Sequence, residues 1–284
     1  MKFLKIDNKN SNSRLDKYLY RLYPGVPKSL FFKLIRKGVI KVNRKKTSPQ
    51  YLLQTNDEVK VPEISLSPQP EKNISQQIHL KTLYRDDDLI IIDKPVGIAV
   101  QGGTKQKFNV IDQAEHQFNL KIYPVHRLDK ETSGCLIFAL NYNAARDISE
   151  QFSQNIIKKK YYAVTVGVPS WQTITIDRPI IQKNRTGIDT LSAITKCRKI
   201  SQSQEYSLLQ VEPLTGRKHQ IRIHLSQLGF PILGDVKYSK TKVTDIERMY
   251  LHASMIAFSH PSTRQKMSFV AASPKSFSAL FENH

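Results

Sequence analysis

The feature that most limits the possible folds of this chain is a pair of short, uninterrupted apolar runs. Residues 89–92 read LIII and lie just before Lys94 and Pro95, and residues 135–140 read CLIFAL. Both runs are far shorter than the roughly 18 apolar residues of a membrane-spanning helix. Runs of this length predict strands that are buried on both faces. The fold must therefore contain a sheet that other elements cover on both sides.

From residue 83 onward, further strands are mixed with a few helices. Strands are predicted at residues 161–166, 206–211, 255–258 and 266–270. Helices are predicted over residues 144–152 after an Asn cap, from a Thr215 cap to Gly229, and over residues 277–281. We find no repeat of fixed period and no regular alternation of strand and helix. The predicted class is α+β, with a mixed, mainly antiparallel sheet and flanking helices.

The charge of the chain is strongly positive and unevenly distributed. The 284 residues include 44 Lys and Arg against 24 Asp and Glu, a formal net charge of +20. Half of this charge lies in residues 14–46, where Asp16 is the only acid. The basic residues of this segment are Arg14, Lys17, Arg21, Lys28, Lys33, Arg36, Lys37, Lys41, Arg44, Lys45 and Lys46. Such a field favours a polyanionic partner, either a nucleic acid or an anionic membrane surface.

The basic segment also has a regular pattern. Ser13 and Asp16 resemble a capping box for a first helix, and residues 27–38 predict a second helix. Residues 39–42 predict a short strand, which the basic turn 43–46 follows. Two short helices and a hairpin with Lys and Arg on their polar faces suit the phosphate backbone of a nucleic acid. The alternative to nucleic-acid binding is that these residues simply form the solvent-exposed face of the helices. Exposed helix faces ordinarily carry both positive and negative residues, however, and this segment has almost no negative ones.

Composition divides the chain into a basic domain at residues 1–62, a proline-containing linker at 63–82 and a larger domain at 83–284. The only two cysteines, Cys135 and Cys197, exclude a disulfide framework and a cysteine-rich zinc site. No glycine pattern forms a phosphate-binding loop, and the N-terminus has no apolar signal-peptide region. We therefore expect a cytoplasmic protein that uses no metal and no cofactor.

Two segments of the larger domain contain candidates for chemistry. In residues 125–134, Asp129 lies among cations and small hydroxyls, which favour the ionised carboxylate of a nucleophile or base. An Asp in a loop more commonly caps a turn, and a glycosidase-like pair with Glu131 has little support. In residues 216–224, Arg222 could line a cleft, and the cations near the helix start suggest phosphate contact.

The two segments together resemble a known family. HRLDKETSG (126–134) and GRKHQIRIH (216–224) resemble the signature segments of the RluA-type pseudouridine synthases, and DDDLIIIDKPVGIAVQGG and FPILGDVKY fit the same family. The stretches AVQGG and GVPKSLFFKLIRKG look closest to the RluC branch, which modifies large-subunit ribosomal RNA. The basic N-terminal segment, above all LIRKGVIKVN, resembles the small α/β RNA-binding domain named after ribosomal protein S-four.

The resemblance implies a pseudouridine synthase fold and a role for several residues. Asp129 is implied to be the catalytic aspartate and Arg222 its basic partner, with the route of attack left open between the anomeric carbon, carbon six of the base and a sugar proton. Tyr161, preferred over Tyr162, is implied to stack on the extruded base or to handle the proton lost from carbon five. Arg127 is implied to fill the space that the flipped nucleotide leaves.

We predict that a further set of basic residues contacts RNA: Arg14, Lys28, Lys33, Arg36, Lys37, Arg44, Lys45 and Lys46 in the first domain, and Arg217 and Lys218 in the second. The expected partner is large-subunit ribosomal RNA, and the expected state is a monomer. Two alternatives remain at this point: a non-catalytic ribosome- or RNA-binding protein, and a nucleic-acid glycosylase that releases the base.

Deleting residues 1–62 is expected to weaken RNA binding and to flatten its salt dependence, because each lost phosphate contact reduces counterion release. The measurement is the dissociation constant of a ribosomal RNA fragment across a series of salt concentrations. An unchanged slope would place the electrostatic contact elsewhere in the chain.

Overall fold

The computed structural model describes residues 1–8, 10–23, 26, 28–63, 77–102, 108–184, 187–239 and 246–281. The chain divides into two compact units, which meet in sequence at residues 75 and 76. Much of the predicted linker, 63–82, lies outside the described residues, and strand β4 (Lys81–Arg85) begins inside the predicted range. The domain bounds 1–62 and 83–284 therefore stay predictions.

The N-terminal unit consists of two helices and a small antiparallel sheet. Its elements are β1 (Lys2–Lys5), α1 (Leu15–Leu22), α2 (Lys28–Arg36), β2 (Lys41–Val42) and β3 (Glu58–Val61), with strand order β1-β3-β2. Leu15 and Leu19 from α1 pack with Phe31 and Ile35 from α2 in a buried core. The two helices predicted in the basic segment therefore bury their apolar faces against each other.

The predicted capping box at Ser13 and Asp16 is wrong. Helix α1 begins at Leu15, and Arg14 occupies the N-cap position without a side-chain cap. The carboxylate of Asp16 instead accepts hydrogen bonds from the Arg14 guanidinium, at 3.1 and 2.7 Å. The Ser13 carbonyl accepts the Leu53 N–H at 3.0 Å. The Asp16 N–H, which a Ser13 cap would bind, instead donates to the Pro49 carbonyl at 3.0 Å.

The second unit is built around one large sheet. Its strands are β4, β5 (Leu89–Lys94), β6 (Tyr123–Pro124), β7 (Ser133–Ala139), β8 (Lys158–Val166), β9 (Thr173–Asp177), β10 (Ile180–Asn184), β11 (Gly187–Leu191), β12 (Ile194–Gln202), β13 (Tyr206–Pro213), β14 (Leu251–Ser259) and β15 (Lys266–Val270). Its helices are α3 (Val110–Phe118), α4 (Tyr142–Ser153), α5 (Gln220–Gln227) and α6 (Lys275–Ala279).

The strand order of the large sheet is β4-β5-β7-β14-β8-β13-β12-β9, with β15 beside β14 and β6 beside β7. Strands β10 and β11 form a separate hairpin. Among the described strand pairs only β7 and β14 run parallel, and the others are antiparallel. The predicted mixed, mainly antiparallel α+β fold is confirmed. In the part of the chain that the structure describes, no helix is both long and apolar enough to cross a membrane.

The apolar run of β5 is buried on both faces, as its composition predicts. Ile90 and Ile92 pack in the core that includes Val110 and Ala114 of α3. Leu89 and Ile91 pack in the core that includes residues of α4. Alternate side chains of one strand thus contact helices on opposite sides of the sheet.

Helix α5 begins later than the sequence predicts. Its first residue is Gln220, and the N-cap residue His219 has a left-handed φ of 57°. The Thr215 hydroxyl does not cap the helix: it donates to Gln220 Oε1 at 2.7 Å and accepts the Ile194 N–H at 3.1 Å. The predicted Thr215 cap is therefore wrong, because Thr215 is used to join the preceding loop to β12.

The parallel contact between β7 and β14 depends on one glycine. Gly134 pairs with Ala253 and has a φ of 107°. A Cβ atom at this position would overlap the Ala253 carbonyl group and lie 2.8 Å from its backbone nitrogen. Only glycine permits this approach, and the loop that precedes β7 is placed by it.

Gly134→Ala is therefore expected to destabilise the fold by more than about 4 kcal/mol, since it adds a backbone overlap to an unfavourable φ. The matched control is Gly97→Ala, where φ is 83° and nothing lies within 4 Å of the added Cβ. The control is expected to cost about 1 kcal/mol. Thermal unfolding of both variants measures the difference, and equal losses would contradict the close approach.

Candidate active site

The loop between β6 and β7 carries Asp129 and is anchored on both sides of it. Leu128 is buried in the core beside Ile90, and the Thr132 N–H donates to the Asp129 carbonyl at 3.1 Å. The Asp129 side chain remains 27% exposed and lines a cavity of about 490 Å³. The loop thus presents a carboxylate to the cavity from a fixed backbone.

A buried lysine holds this loop from behind. Lys94, the last residue of β5, donates from Nζ to the carbonyls of Pro95, Ile98 and Lys130 at 2.8, 2.7 and 3.1 Å. Burial lowers the pKa of Lys94 to about 7, although nearby carboxylates partly oppose this shift. The three ammonium protons match the three carbonyl acceptors, so Lys94 joins the Asp129 loop to the chain that follows β5.

Arg222 on α5 joins two carboxylates. Its Nη1 donates to Asp129 Oδ2 at 2.8 Å. Its Nε and Nη2 donate to the two oxygens of Asp235 at 2.7 and 2.8 Å. The side chain of Asp235 is completely buried, whereas Arg222 is 11% exposed. The structure therefore brings two of the predicted site residues, Asp129 and Arg222, into direct contact.

The hydrogen bonds between Arg222 and Asp235 keep both of these groups ionised. Burial alone would lower the pKa of Arg222, but the hydrogen bonds and charges of Asp235 and Asp129 raise it. Burial alone would raise the pKa of Asp235, yet Arg222 and the backbone N–H groups of Lys237 and Tyr238 hold it below its ordinary value. Desolvation is thus outweighed by specific hydrogen bonds.

His219 lies on the other side of Asp129. Its Nε2 is 3.5 Å from Asp129 Oδ1, and its Nδ1 is 2.8 Å from the Tyr238 hydroxyl. The Arg222 guanidinium lies over the Tyr238 ring, 5.1 Å from its centroid. Each oxygen of the Asp129 carboxylate therefore faces a side-chain nitrogen: Oδ2 faces Arg222 of α5, and Oδ1 faces the N-cap residue His219.

Tyr161 on β8 lines the same cavity as Asp129. Its ring packs against two apolar cores, the one that includes Ile90 and the one that includes Leu225. Burial raises the pKa of the Tyr161 hydroxyl, and the negative charge of Asp129 raises it further. This hydroxyl is therefore neutral. Within the described residues we find no hydrogen-bond partner for it.

The remaining predicted residues of this unit differ in position. Arg127 and Arg217 are exposed and line the cavity, and the Arg217 Nε donates to the Ser192 carbonyl at 2.9 Å. Lys218 is exposed and lies beside the cavity lining in sequence without belonging to it. His126 accepts the Ile137 N–H at 2.9 Å, and burial lowers the pKa of its imidazole to about 3.

In the N-terminal unit, six of the eight predicted RNA contacts are exposed and have no ion-pair partner in the described part of the chain: Lys33, Arg36, Lys37, Arg44, Lys45 and Lys46. The carbons of the Lys46 side chain lie beside Gly38, so the turn after β2 adjoins the end of α2. Arg14 is already bonded to Asp16. The Lys28 side chain lies outside the described residues.

Four residues of the site have no role in the sequence-based prediction: Lys94, His219, Asp235 and Tyr238. Lys94, Asp235 and Tyr238 fall in the segments DKPVG and GDVKY, and His219 lies in GRKHQIRIH. The only indication in the sequence was that these residues belong to the segments that resemble the family. Their sequence neighbours do not show that Asp235, His219 and Tyr238 come together around Arg222 and Asp129.

Comparisons with known proteins identify the family of this chain. A family model described as RNA pseudouridylate synthase matches residues 88–227, and an S4 domain model matches residues 13–59. The chain is 32% identical over 296 residues to the ribosomal large subunit pseudouridine synthase C of Haemophilus ducreyi, covering 96% of this chain and 92% of that protein. The chain belongs to the RNA pseudouridylate synthase family.

Other members of this family give similar matches. The ribosomal large subunit pseudouridine synthase C of Pasteurella multocida is 33% identical, over 94% of this chain and 89% of that protein. The solved structure of human RNA pseudouridylate synthase domain containing 1 has a TM-score of 0.63 and 25% identity, covering 72% of this chain and 89% of that one. The solved structure of human RNA pseudouridylate synthase domain containing 4 has a TM-score of 0.58 and 26% identity, and the match covers 69% of this chain and 90% of that one.

As an RNA pseudouridylate synthase, this protein is an isomerase that converts uridine to pseudouridine in RNA. The resemblance to pseudouridine synthases and to the small RNA-binding domain is confirmed. The alternative of a non-catalytic RNA-binding protein is not favoured.

The Arg222–Asp235 pair leads to a prediction about stability in acid. Because the pKa of Asp235 is lower in the folded than in the unfolded state, its contribution is present above the unfolded pKa, about 3.9. It is lost as pH falls through the folded pKa. Asp235→Asn is expected to lower stability by about 3 kcal/mol at pH 7. It should also make the loss of stability below about pH 5 shallower than in wild type.

Thermal unfolding of this variant across pH 3 to 7 tests the prediction. The control is Asp177→Asn, at an exposed aspartate at the end of β9. The same acid dependence in Asp235→Asn and in wild type would show that the pair contributes nothing to it.

Proposed function

We propose that this chain isomerises specific uridines of 23S ribosomal RNA to pseudouridine. The support for this target is that relatives named ribosomal large subunit pseudouridine synthase C align with the chain over about nine-tenths of their length. The observation that carries the chemistry is the contact of Asp129 with Arg222 in the wall of a cavity. A cavity of this volume is in the range of small-molecule sites, which suits a nucleotide turned out of its stack.

Asp129 is proposed as the catalytic carboxylate. A carboxylate in a partly desolvated cavity loses charge stabilisation unless a cation restores it. Arg222 provides that cation at 2.8 Å and is itself fixed by two bonds to Asp235. The ionised carboxylate can attack the anomeric carbon, add to carbon six of the base or remove a sugar proton, and the proposal holds for each route.

Tyr161 is proposed to contact the extruded base. Its raised pKa keeps the hydroxyl protonated, so it can stack and donate a hydrogen bond but is poorly suited to carry a negative charge. When carbon five loses its proton, the phenol therefore acts at most as a relay toward another acceptor. We infer that stacking on the base is the main contribution of Tyr161.

The exposed basic residues are proposed to hold the RNA. Arg127 lies at the cavity without an ion-pair partner among the described residues, so it is available to fill the space of the flipped nucleotide. Arg217 and Lys218, together with the six exposed basic residues of the N-terminal unit, are available for phosphates. Because the Arg14 guanidinium is bonded to Asp16, we expect Arg14 to contribute less than these six.

We further propose that the enzyme acts as a monomer in the cytoplasm without a metal or cofactor. The three residues proposed for the chemistry, Asp129, Tyr161 and Arg222, line one cavity of the second unit. Ribosomal RNA as substrate supports a location where ribosomes are assembled. The positive charge that the carboxylate requires is supplied by Arg222.

Replacing Asp129 by Asn is expected to reduce pseudouridine formation at least about 10³-fold, because the carboxylate is the reacting group. Pseudouridines are mapped in the ribosomal RNA of cells that lack this protein, complemented with wild type, Asp129→Asn or the control Asp177→Asn. Wild type and the control should restore the same sites.

Three outcomes would contradict the proposal. If every uridine modification is unchanged in the deletion strain, ribosomal RNA is not the target. If Asp129→Asn restores the sites, Asp129 is not the catalytic carboxylate. Release of free uracil by the purified enzyme would indicate a glycosylase instead.

A further inference from the structure

We propose that His219 and Tyr238 form a positioning pair for the Asp129 carboxylate, in which His219 directs a neutral Nε2–H at Oδ1 and Tyr238 sets the tautomer. This inference rests on the proposed role of Asp129 as the catalytic carboxylate. His219 and Tyr238 then affect the rate of the chemical step and leave the affinity of the enzyme for RNA unchanged.

Arg222 alone leaves the Asp129 carboxylate free to turn. Two of its three bonded N–H groups are used by Asp235, so Asp129 receives only one, at Oδ2. A carboxylate held by a single hydrogen bond can still rotate about its Cβ–Cγ bond, because that torsion is broad. A second contact on Oδ1 is needed to fix the plane of the carboxylate.

His219 is placed to supply this second contact. Its Nε2 lies 3.5 Å from Asp129 Oδ1, and its side chain is only 15% exposed. This distance is longer than a good hydrogen bond. Catalytic hydrogen bonds of ligand-free enzymes are often long and shorten when the substrate binds. A shift of about half an ångström would bring the two atoms to bonding distance.

The chemistry of the two partners decides the tautomer of His219. An ionised carboxylate only accepts hydrogen bonds, so the nitrogen that faces it must carry the proton. The other nitrogen, Nδ1, is then an acceptor and receives the Tyr238 hydroxyl at 2.8 Å. Tyr238 is thus the group that stabilises the Nε2–H form, in the way that the partner of one ring nitrogen sets the role of the other.

The charges around the imidazole keep it neutral. Burial lowers the pKa of His219, and the positive charges of Arg222, Lys237 and Lys218 act in the same direction, whereas Asp129 opposes them. A neutral donor orients the carboxylate without neutralising it. A charged imidazolium would form a second ion pair with Asp129 and reduce its reactivity.

The backbone at His219 agrees with a functional constraint. Its φ of 57° lies in the left-handed region, at the N-cap of α5. A non-glycine residue in this region costs roughly 1–2 kcal/mol, and such residues cluster at functional sites. This backbone conformation places the His219 imidazole between Asp129 and Tyr238.

The test compares His219→Ala, His219→Gln and Tyr238→Phe with wild type in single-turnover reactions at saturating RNA. Loss of a hydrogen bond to a charged group corresponds to about 10- to 100-fold, so we expect that reduction in the rate constant for His219→Ala. Glutamine carries an N–H donor and should recover part of the rate. Tyr238→Phe keeps the ring under Arg222 and removes only the hydroxyl, with an expected loss of about 3- to 10-fold.

The RNA dissociation constant and the unfolding temperature are measured for the same variants. Both should stay close to the wild-type values, since the pair acts on the carboxylate rather than on RNA or on folding. The matched controls are His79→Ala and Tyr142→Phe, at exposed positions outside the cavity lining, and both should react at the wild-type rate.

Two results would overturn the inference while leaving the proposed function intact: an unchanged rate constant in His219→Ala and Tyr238→Phe, or losses that follow the RNA dissociation constant without recovery in His219→Gln. A wild-type enzyme that forms no pseudouridine would instead overturn the proposed function, and this inference with it.

Discussion

The bridge that Arg222 forms between Asp129 and Asp235 is the interaction on which the rest of the site depends. It connects the loop before β7 to helix α5, 93 residues further along the chain, and to the loop that follows Gly234. Asp235 is completely buried, and a buried charge that loses its partner is strongly destabilising. The bridge therefore stabilises the fold at the same point where it places a cation against the Asp129 carboxylate.

The backbone around the bridge is restrained by features that serve the same site. Gly134 allows β7 to approach β14, and the buried ammonium of Lys94 joins the Asp129 loop to the chain after β5. His219 adopts a left-handed φ at the start of α5. A desolvated lysine and a left-handed φ at a non-glycine residue are each unfavourable in isolation. Both restrain the backbone next to Asp129 or Arg222, as is typical of a site whose geometry matters more than its local stability.

The charge of the protein divides into two kinds of cation. Exposed lysines and arginines of the N-terminal unit face solvent and suit the sequence-independent binding of a phosphate backbone. Arg222, by contrast, is nearly buried and bound to two carboxylates. One class of residue therefore suits attraction to a phosphate backbone, and a single member of the same class binds the carboxylate that is proposed to react.

The sequence by itself determined the buried strands, the α+β class, the basic segment and the identity of Asp129, Tyr161 and Arg222 as site residues to test. Short apolar runs and helical spacing are local patterns, so they can be read along the chain, and the motifs placed the acid and its cation. The tertiary structure decided the partners. Thr215 and Ser13 were expected to cap helices, but each is used by a strand or loop distant in sequence. Asp235, His219 and Tyr238 acquire their roles only when folding buries them around Arg222 and Asp129. A buried polar group must find a partner in space, and the sequence records which groups are available without recording which of them will meet.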